Sequence, residues 1–96
     1  MKIREKGVFI IIVNDIEILT QKRDEIQQLD YEILKLLEQR VEAAKTIGEI
    51  KKKNKKPIYA PEVEKKKIET LSQNCGHAGL VEAIWPVIMC YTRTLE

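Results

Sequence analysis

Cysteine is scarce in this chain: Cys75 and Cys90 are the only two, and they form no CxxC pair. That excludes a dithiol redox motif, and the two thiols read as reduced, cytosolic cysteines. A metal centre has little to draw on, since Cys75, His77 and Cys90 offer no fourth ligand and no recognised spacing. They read instead as a loop residue, a surface histidine and a buried thiol, and no metal is expected. Charge of one sign is also lacking. Seventeen Lys and Arg stand against fifteen Asp and Glu, a balance that demands no polyanionic partner. Lys51–Lys56 and Lys65–Lys67 are basic runs, but Glu49, Glu62, Glu64 and Glu69 dilute them, so no nucleic-acid partner is expected. Long apolar runs are missing too. Val8–Val13 follows the basic Met1–Lys6, yet a secretory leader needs about 7–15 apolar residues and a small-residue cleavage site. A membrane span needs about 20. The expectation is a cytoplasmic protein with no membrane partner.

What is present is a single domain's worth of sequence. Ninety-six residues with 44% hydrophobic content can fold, but so short a chain buries a modest share of its surface and gains from association. Residues 1–13 look separate: Gly7 interrupts them and Val8–Val13 is β-branched and aromatic. They are expected to be a strand-like or poorly ordered appendage to a domain spanning 14–96.

From Asn14 the pattern is helical. Asn14 with Glu17 forms a plausible helix start, and neither Gly nor Pro follows until Gly48. Ile26, Leu29, Ile33, Leu36, Leu37, Ala43, Ala44, Ile47 and Ile50 recur at helical spacing, which predicts one helix over about residues 15–53. At 1.5 Å per residue it is roughly 60 Å long, whereas a compact 100-residue globule has a radius of gyration near ~13 Å. Such a helix needs a second long helix beside it, and an antiparallel homodimer is the simplest supply. A second helix is expected from Pro61, with Val63, Ile68 and Leu71 on its apolar side, and a loop over Ser72–Gly79. A third covers roughly 80–95, burying Val81, Ile84, Trp85, Ile88, Met89 and Leu95, and Pro86 should kink or divide it. Trp85 at this spacing reads as core. The fold class is therefore all-α, with three helices per subunit, the first very long.

Arg40 and Lys51 are eleven residues apart, about three turns, so they share a helix face. That face is also apolar, with Leu36 and Leu37 before Arg40 and Ala43 and Ala44 after it. A cation there is costly unless paired. It is either a snorkelling or salt-bridged side chain or part of a pocket for a small dianion. Arg23 lies about 25 Å away along the same helix, so only the Arg23 of an antiparallel partner would reach the same small ligand.

The ordered set Arg23…Leu29-Asp30…Leu36-Leu37…Arg40…Ile47-Gly48…Ile50-Lys51…Pro57-Ile58-Tyr59…Pro61-Glu62 resembles the all-helical (type II) chorismate mutases, from about residue 16 to 96. The resemblance implies an intertwined antiparallel homodimer with two active sites, each built from both chains, and chorismate as substrate. It implies that Arg23 of one subunit and Arg40 of the other hold the substrate carboxylates. Lys51 would face the ether oxygen and one carboxylate, and Glu64 would take the ring hydroxyl. Glu96 would face the ether oxygen, with Thr92 one turn earlier. The rearrangement to prephenate is intramolecular and needs no nucleophile, metal or cofactor. It needs a compact conformer held in place and fixed donors for the charge growing on the ether oxygen. A glutamate at position 96 must be protonated to donate there, so activity should rise at mildly acidic pH.

The chain departs from the family where members usually read Asp-Pro-x-Arg-Glu and this one reads Ala60-Pro61-Glu62-Val63-Glu64. Ala60 is a poor N-cap, and Lys66 and Lys67 lie one turn from Val63 and could supply the missing cation. The Ala-Pro-Glu sequence is similar to the isochorismate-pyruvate lyases, which share this fold and use the same arginines and lysine. Aminodeoxychorismate mutases are a further possibility. The alternative from another class is a non-catalytic helical module that only dimerises or that binds nucleic acid.

Overall fold

A computed structural model describes the backbone of residues 2–95 and the side-chain surroundings of residues 12–95. It contains α1 (Lys2–Lys53), α2 (Pro61–Gln73) and α3 (Leu80–Leu95), with no strand among the described residues. The all-α class and the long first helix are those the spacing predicts. Residues 2–13 correct the expectation of a strand-like segment: their backbone is helical. β propensity is a weak, context-dependent preference. Once a helix exists, each added residue contributes a hydrogen bond without the cost of a new nucleus, and Gly7 at about 1 kcal/mol does not stop it.

The chain divides into two compact units, Met1–Glu38 and Gln39–Glu96. The first consists of helix alone. Its apolar residues Ile16, Leu19, Ile26, Leu29, Ile33 and Leu36 are all exposed, spaced by threes, fours and sevens along one side. Full burial of such a side chain is worth roughly 1.5–3 kcal/mol, and a solitary helix has no tertiary surface to collect it.

The second unit holds the end of α1, a loop, α2 and α3. Helix α1 stops because Lys55 turns left-handed, with φ of 57°. The Lys55 amide donates to the Lys52 carbonyl at 3.2 Å and the Lys56 amide to the Lys51 carbonyl at 2.8 Å. This is a Schellman motif with lysine where glycine is usual, and Pro57 then disfavours a helical Lys56. Helix α2 begins at Pro61 behind Ala60, whose side chain makes no capping bond. Proline's preset φ at the first helical position supplies the start. Gly79, with φ of 79°, precedes α3, and its carbonyl accepts the Ala83 amide at 3.1 Å.

Helix α2 packs on α3, and the Ser72 hydroxyl donates to the Glu82 carboxylate at 2.6 Å across their junction. That hydrogen bond holds the Glu82 carboxyl below its ordinary range. Pro86 does not divide α3, which runs unbroken to Leu95. The carbonyl that loses its donor belongs to Glu82, which is exposed, as is Pro86, so water can satisfy it. Among the described residues the buried hydrophobic ones are few: Ala44, Val81 and Met89, with Thr92 the buried polar one. Trp85 and Ile88 are half-buried. Ile84 and Leu95, expected in the buried stripe, are exposed, and so is Cys90, expected to be a buried thiol. The reason is the same for all three: α3 has one helix packed against it rather than a shell of them.

Candidate active site

The end of α1, the 54–60 loop, α2 and α3 enclose a cavity of about 580 Å³, a volume suited to a small-molecule ligand. Its apolar lining includes Ala43, Ala44, Ile47, Val63 and Met89, and its basic lining comprises Arg40, Lys51, Lys56, Lys67 and Arg93. Among the described residues, Glu64 is the one carboxylate on the wall. Five cations against one anion among the described residues, in a largely apolar surround, suit this site to a small polyanion.

Each polar group is held by its own helix. Thr92 is buried on α3, and its hydroxyl turns back to the carbonyls of Ile88 at 3.1 Å and Met89 at 3.0 Å. Its oxygen then remains an acceptor for Arg40, whose Nη1 approaches from α1 at 3.4 Å. That bond is longer than ordinary, so it aims the guanidinium without saturating it. Lys51 stands in the last turn of α1, and its Nζ donates to the Ile58 carbonyl at 3.2 Å, tying the loop back against the helix. Among the described residues, neither Arg40 nor Lys51 has a carboxylate within salt-bridge distance.

Glu64 differs. Arg93 Nη1 donates to both of its carboxylate oxygens, bridging α3 to α2. The Arg93 guanidinium also lies 4.6 Å from the centre of the Tyr59 ring, within cation–π range. The Glu64 carboxylate raises the Arg93 guanidinium above its already high ordinary value, so Arg93 is charged at any working pH.

Of the residues singled out from the sequence, Arg40, Lys51, Glu64 and Thr92 meet on this one wall. Arg23 does not: it belongs to the Met1–Glu38 unit, exposed, four residues after Leu19 and three before Ile26 on the apolar side. Glu96 lies outside the described residues. Lys67 reaches the cavity as expected for a residue one turn from Val63, whereas Lys66 is not part of its lining. Two contributors went unforeseen. Lys56 is brought in by the left-handed turn at Lys55, which no composition rule announces at a lysine. Arg93 is twenty-nine residues from Glu64, and the only hint in the sequence is its place beside Thr92 and four residues after Met89, both of which face inward.

Among the described residues, no group of three or more His, Cys, Asp or Glu could hold a metal ion, and no helix is long and apolar enough to cross a membrane. The family described as chorismate mutase type II matches over residues 22–96. A bifunctional chorismate mutase/prephenate dehydratase of Aquifex aeolicus (strain VF5) is 47% identical over 55 residues, which is 57% of this chain and 15% of that relative's length. The chain thus covers only a small part of that larger protein. No solved structure matches significantly.

Proposed function

Because this chain belongs to the type II chorismate mutase family, we propose that it rearranges chorismate to prephenate in the cavity built from Arg40, Lys51, Glu64 and Thr92. The observation that carries this reading is the convergence of Arg40 and Lys51, both without a carboxylate partner among the described residues, on one cationic, apolar-walled cavity. A dicarboxylate substrate supplies the missing counter-charge.

In this mechanism the protein does no covalent chemistry. Arg40 grips one substrate carboxylate, oriented from behind by Thr92, and the partner's Arg23 grips the other. Held at both ends, the substrate is confined to the compact chair-like conformer in which the new carbon–carbon bond forms as the ether bond breaks. Lys51 lies against the ether oxygen and stabilises the negative charge that grows there, joined by a protonated Glu96. Glu64 accepts the ring hydroxyl.

The second subunit is a second copy of this chain, laid antiparallel along α1. The support is the exposed stripe from Ile16 to Leu36, together with the place of Arg23 on that stripe. The expected compartment is the cytoplasm, where two free thiols stay reduced.

The test is turnover by the purified protein. Loss of chorismate with appearance of prephenate supports the proposal. Salicylate plus pyruvate from isochorismate would replace it with the lyase reading suggested by Ala60-Pro61-Glu62, and no turnover of either substrate would leave a helical dimerisation module.

A further inference from the structure

We propose that Arg93 is a positioning residue: it holds the Glu64 carboxylate against the α2–α3 side of the cavity, so that Glu64 meets a substrate hydroxyl instead of neutralising the cations that bind the substrate's carboxylates. This rests on the reading above, in which the cavity receives a hydroxylated dicarboxylate.

The argument starts from a competition. Glu64 shares the cavity wall with Arg40, Lys51, Lys56, Lys67 and Arg93. Any of the first four could draw the carboxylate across and form an ion pair, and each such pair would cancel a charge that a dianionic ligand needs. Instead, both Glu64 oxygens are taken by Arg93, while the side chains of Arg93 and Glu64 remain 31% and 22% exposed. The pair is therefore neither sealed in the core nor loose in solvent. It faces the cavity with its mutual charge balanced, which removes the repulsion a bare carboxylate would present to an incoming dianion.

Three features make Arg93 suited to this. Tyr59 lies against its guanidinium, 4.6 Å from the ring centre, and restricts its movement by a cation–π contact. Its helix packs directly on the helix that carries Glu64, so the pair joins two elements already in contact. It also engages Glu64 through a single nitrogen, Nη1. Each carboxylate oxygen so engaged retains a lone pair, and an alcohol hydroxyl can donate to it without displacing the arginine. Arg93 acts on the substrate only through Glu64, so it is distinct from the cations that grip carboxylates.

A purely structural role, stapling α2 to α3, would also follow from the contact, and the experiment separates the two. Turnover of chorismate is measured for the wild type, Glu64→Gln, Arg93→Gln, Arg93→Lys and the Glu64→Gln/Arg93→Gln double variant, with thermal unfolding alongside. Arg93→Gln is expected to lower kcat/KM about ten- to a hundredfold, and Arg93→Lys to recover part of that loss. The double variant is expected to fall no more than about twofold below Glu64→Gln alone, because the second change removes a support whose load is already gone. If the two single losses multiply, or if Arg93→Gln turns over like the wild type, the positioning role is overturned while the function stands. If Arg93→Gln does not fold, Arg93→Lys carries the same comparison, alone and combined with Glu64→Gln. A folded wild type that turns over no chorismate overturns the function and this proposal together.

Discussion

Arg40→Ala should abolish most catalysis and leave the fold nearly intact, and the structure sets the size of both effects. In the folded chain, Arg40 makes one hydrogen bond among the described residues, to Thr92 at 3.4 Å. At that length its loss is worth at most about 1 kcal/mol. The truncation also leaves no orphaned donor, because the Thr92 hydroxyl already donates within α3. Catalysis has more to lose. A charge-assisted bond to a carboxylate in a partly open site contributes roughly 1.5–3 kcal/mol, or about ten- to a hundredfold in kcat/KM. Arg40 is half-buried in the single chain. If a second copy closes the cavity, the abandoned substrate carboxylate becomes a buried unpaired charge, and the loss grows to about 3–5 kcal/mol, on the order of a hundred- to several-thousandfold. Chorismate consumption followed by absorbance, thermal unfolding and sedimentation on the same preparation give the three numbers required. Arg40→Lys should fall between, since it keeps the charge and loses the fork. Turnover by Arg40→Ala within about threefold of the wild type would mean that the substrate binds elsewhere, and the assignment of this cavity would be wrong.

Four further outcomes are expected. Ile33→Glu sets a charge in the exposed stripe of α1 and should convert a dimer to an unstable monomer in sedimentation; an unchanged dimer would mean that the stripe is not the interface. Lys55→Gly removes the penalty of a left-handed lysine, roughly 1 kcal/mol, and should raise the unfolding temperature by a few degrees; a lower one would argue that the lysine side chain contributes there. Ser72→Ala should destabilise the protein at neutral pH and less so near about pH 3. The Glu82 pKa is lowered in the folded state, so its stabilisation is present above the unfolded value and lost as pH falls through the folded one. Chemical denaturation at both pH values checks this, and an equal deficit at both would refute it. Finally, kcat/KM should rise toward mildly acidic pH if Glu96 donates to the ether oxygen as an acid, and Glu96→Gln should flatten the profile; a wild-type profile already flat from about pH 5 to about 8.5 would exclude that role.

The helices were legible because periodicity and punctuation are local. Pro61 opening α2, the turn residues of Ser72–Gly79, and the shared face of Arg40 and Lys51 all follow from the rise and pitch of a helix. The helical backbone of residues 2–13 was not legible, since a β-branched run reads alike in isolation whether or not an established helix stands ready to extend through it. Continuity through Pro86 depended on whether the Glu82 carbonyl faced solvent, a question of packing.

By itself, the sequence determined that this is an all-helical chain with too little core of its own and a pair of basic residues on one face of its longest helix. The tertiary structure alone decided which charges meet. Arg93 finds Glu64 across two packed helices, Lys56 swings inward on a left-handed turn, and Cys90 faces outward. Helical arithmetic gives the direction in which a side chain leaves its own axis. Only the placement of the neighbouring axis says what it meets there.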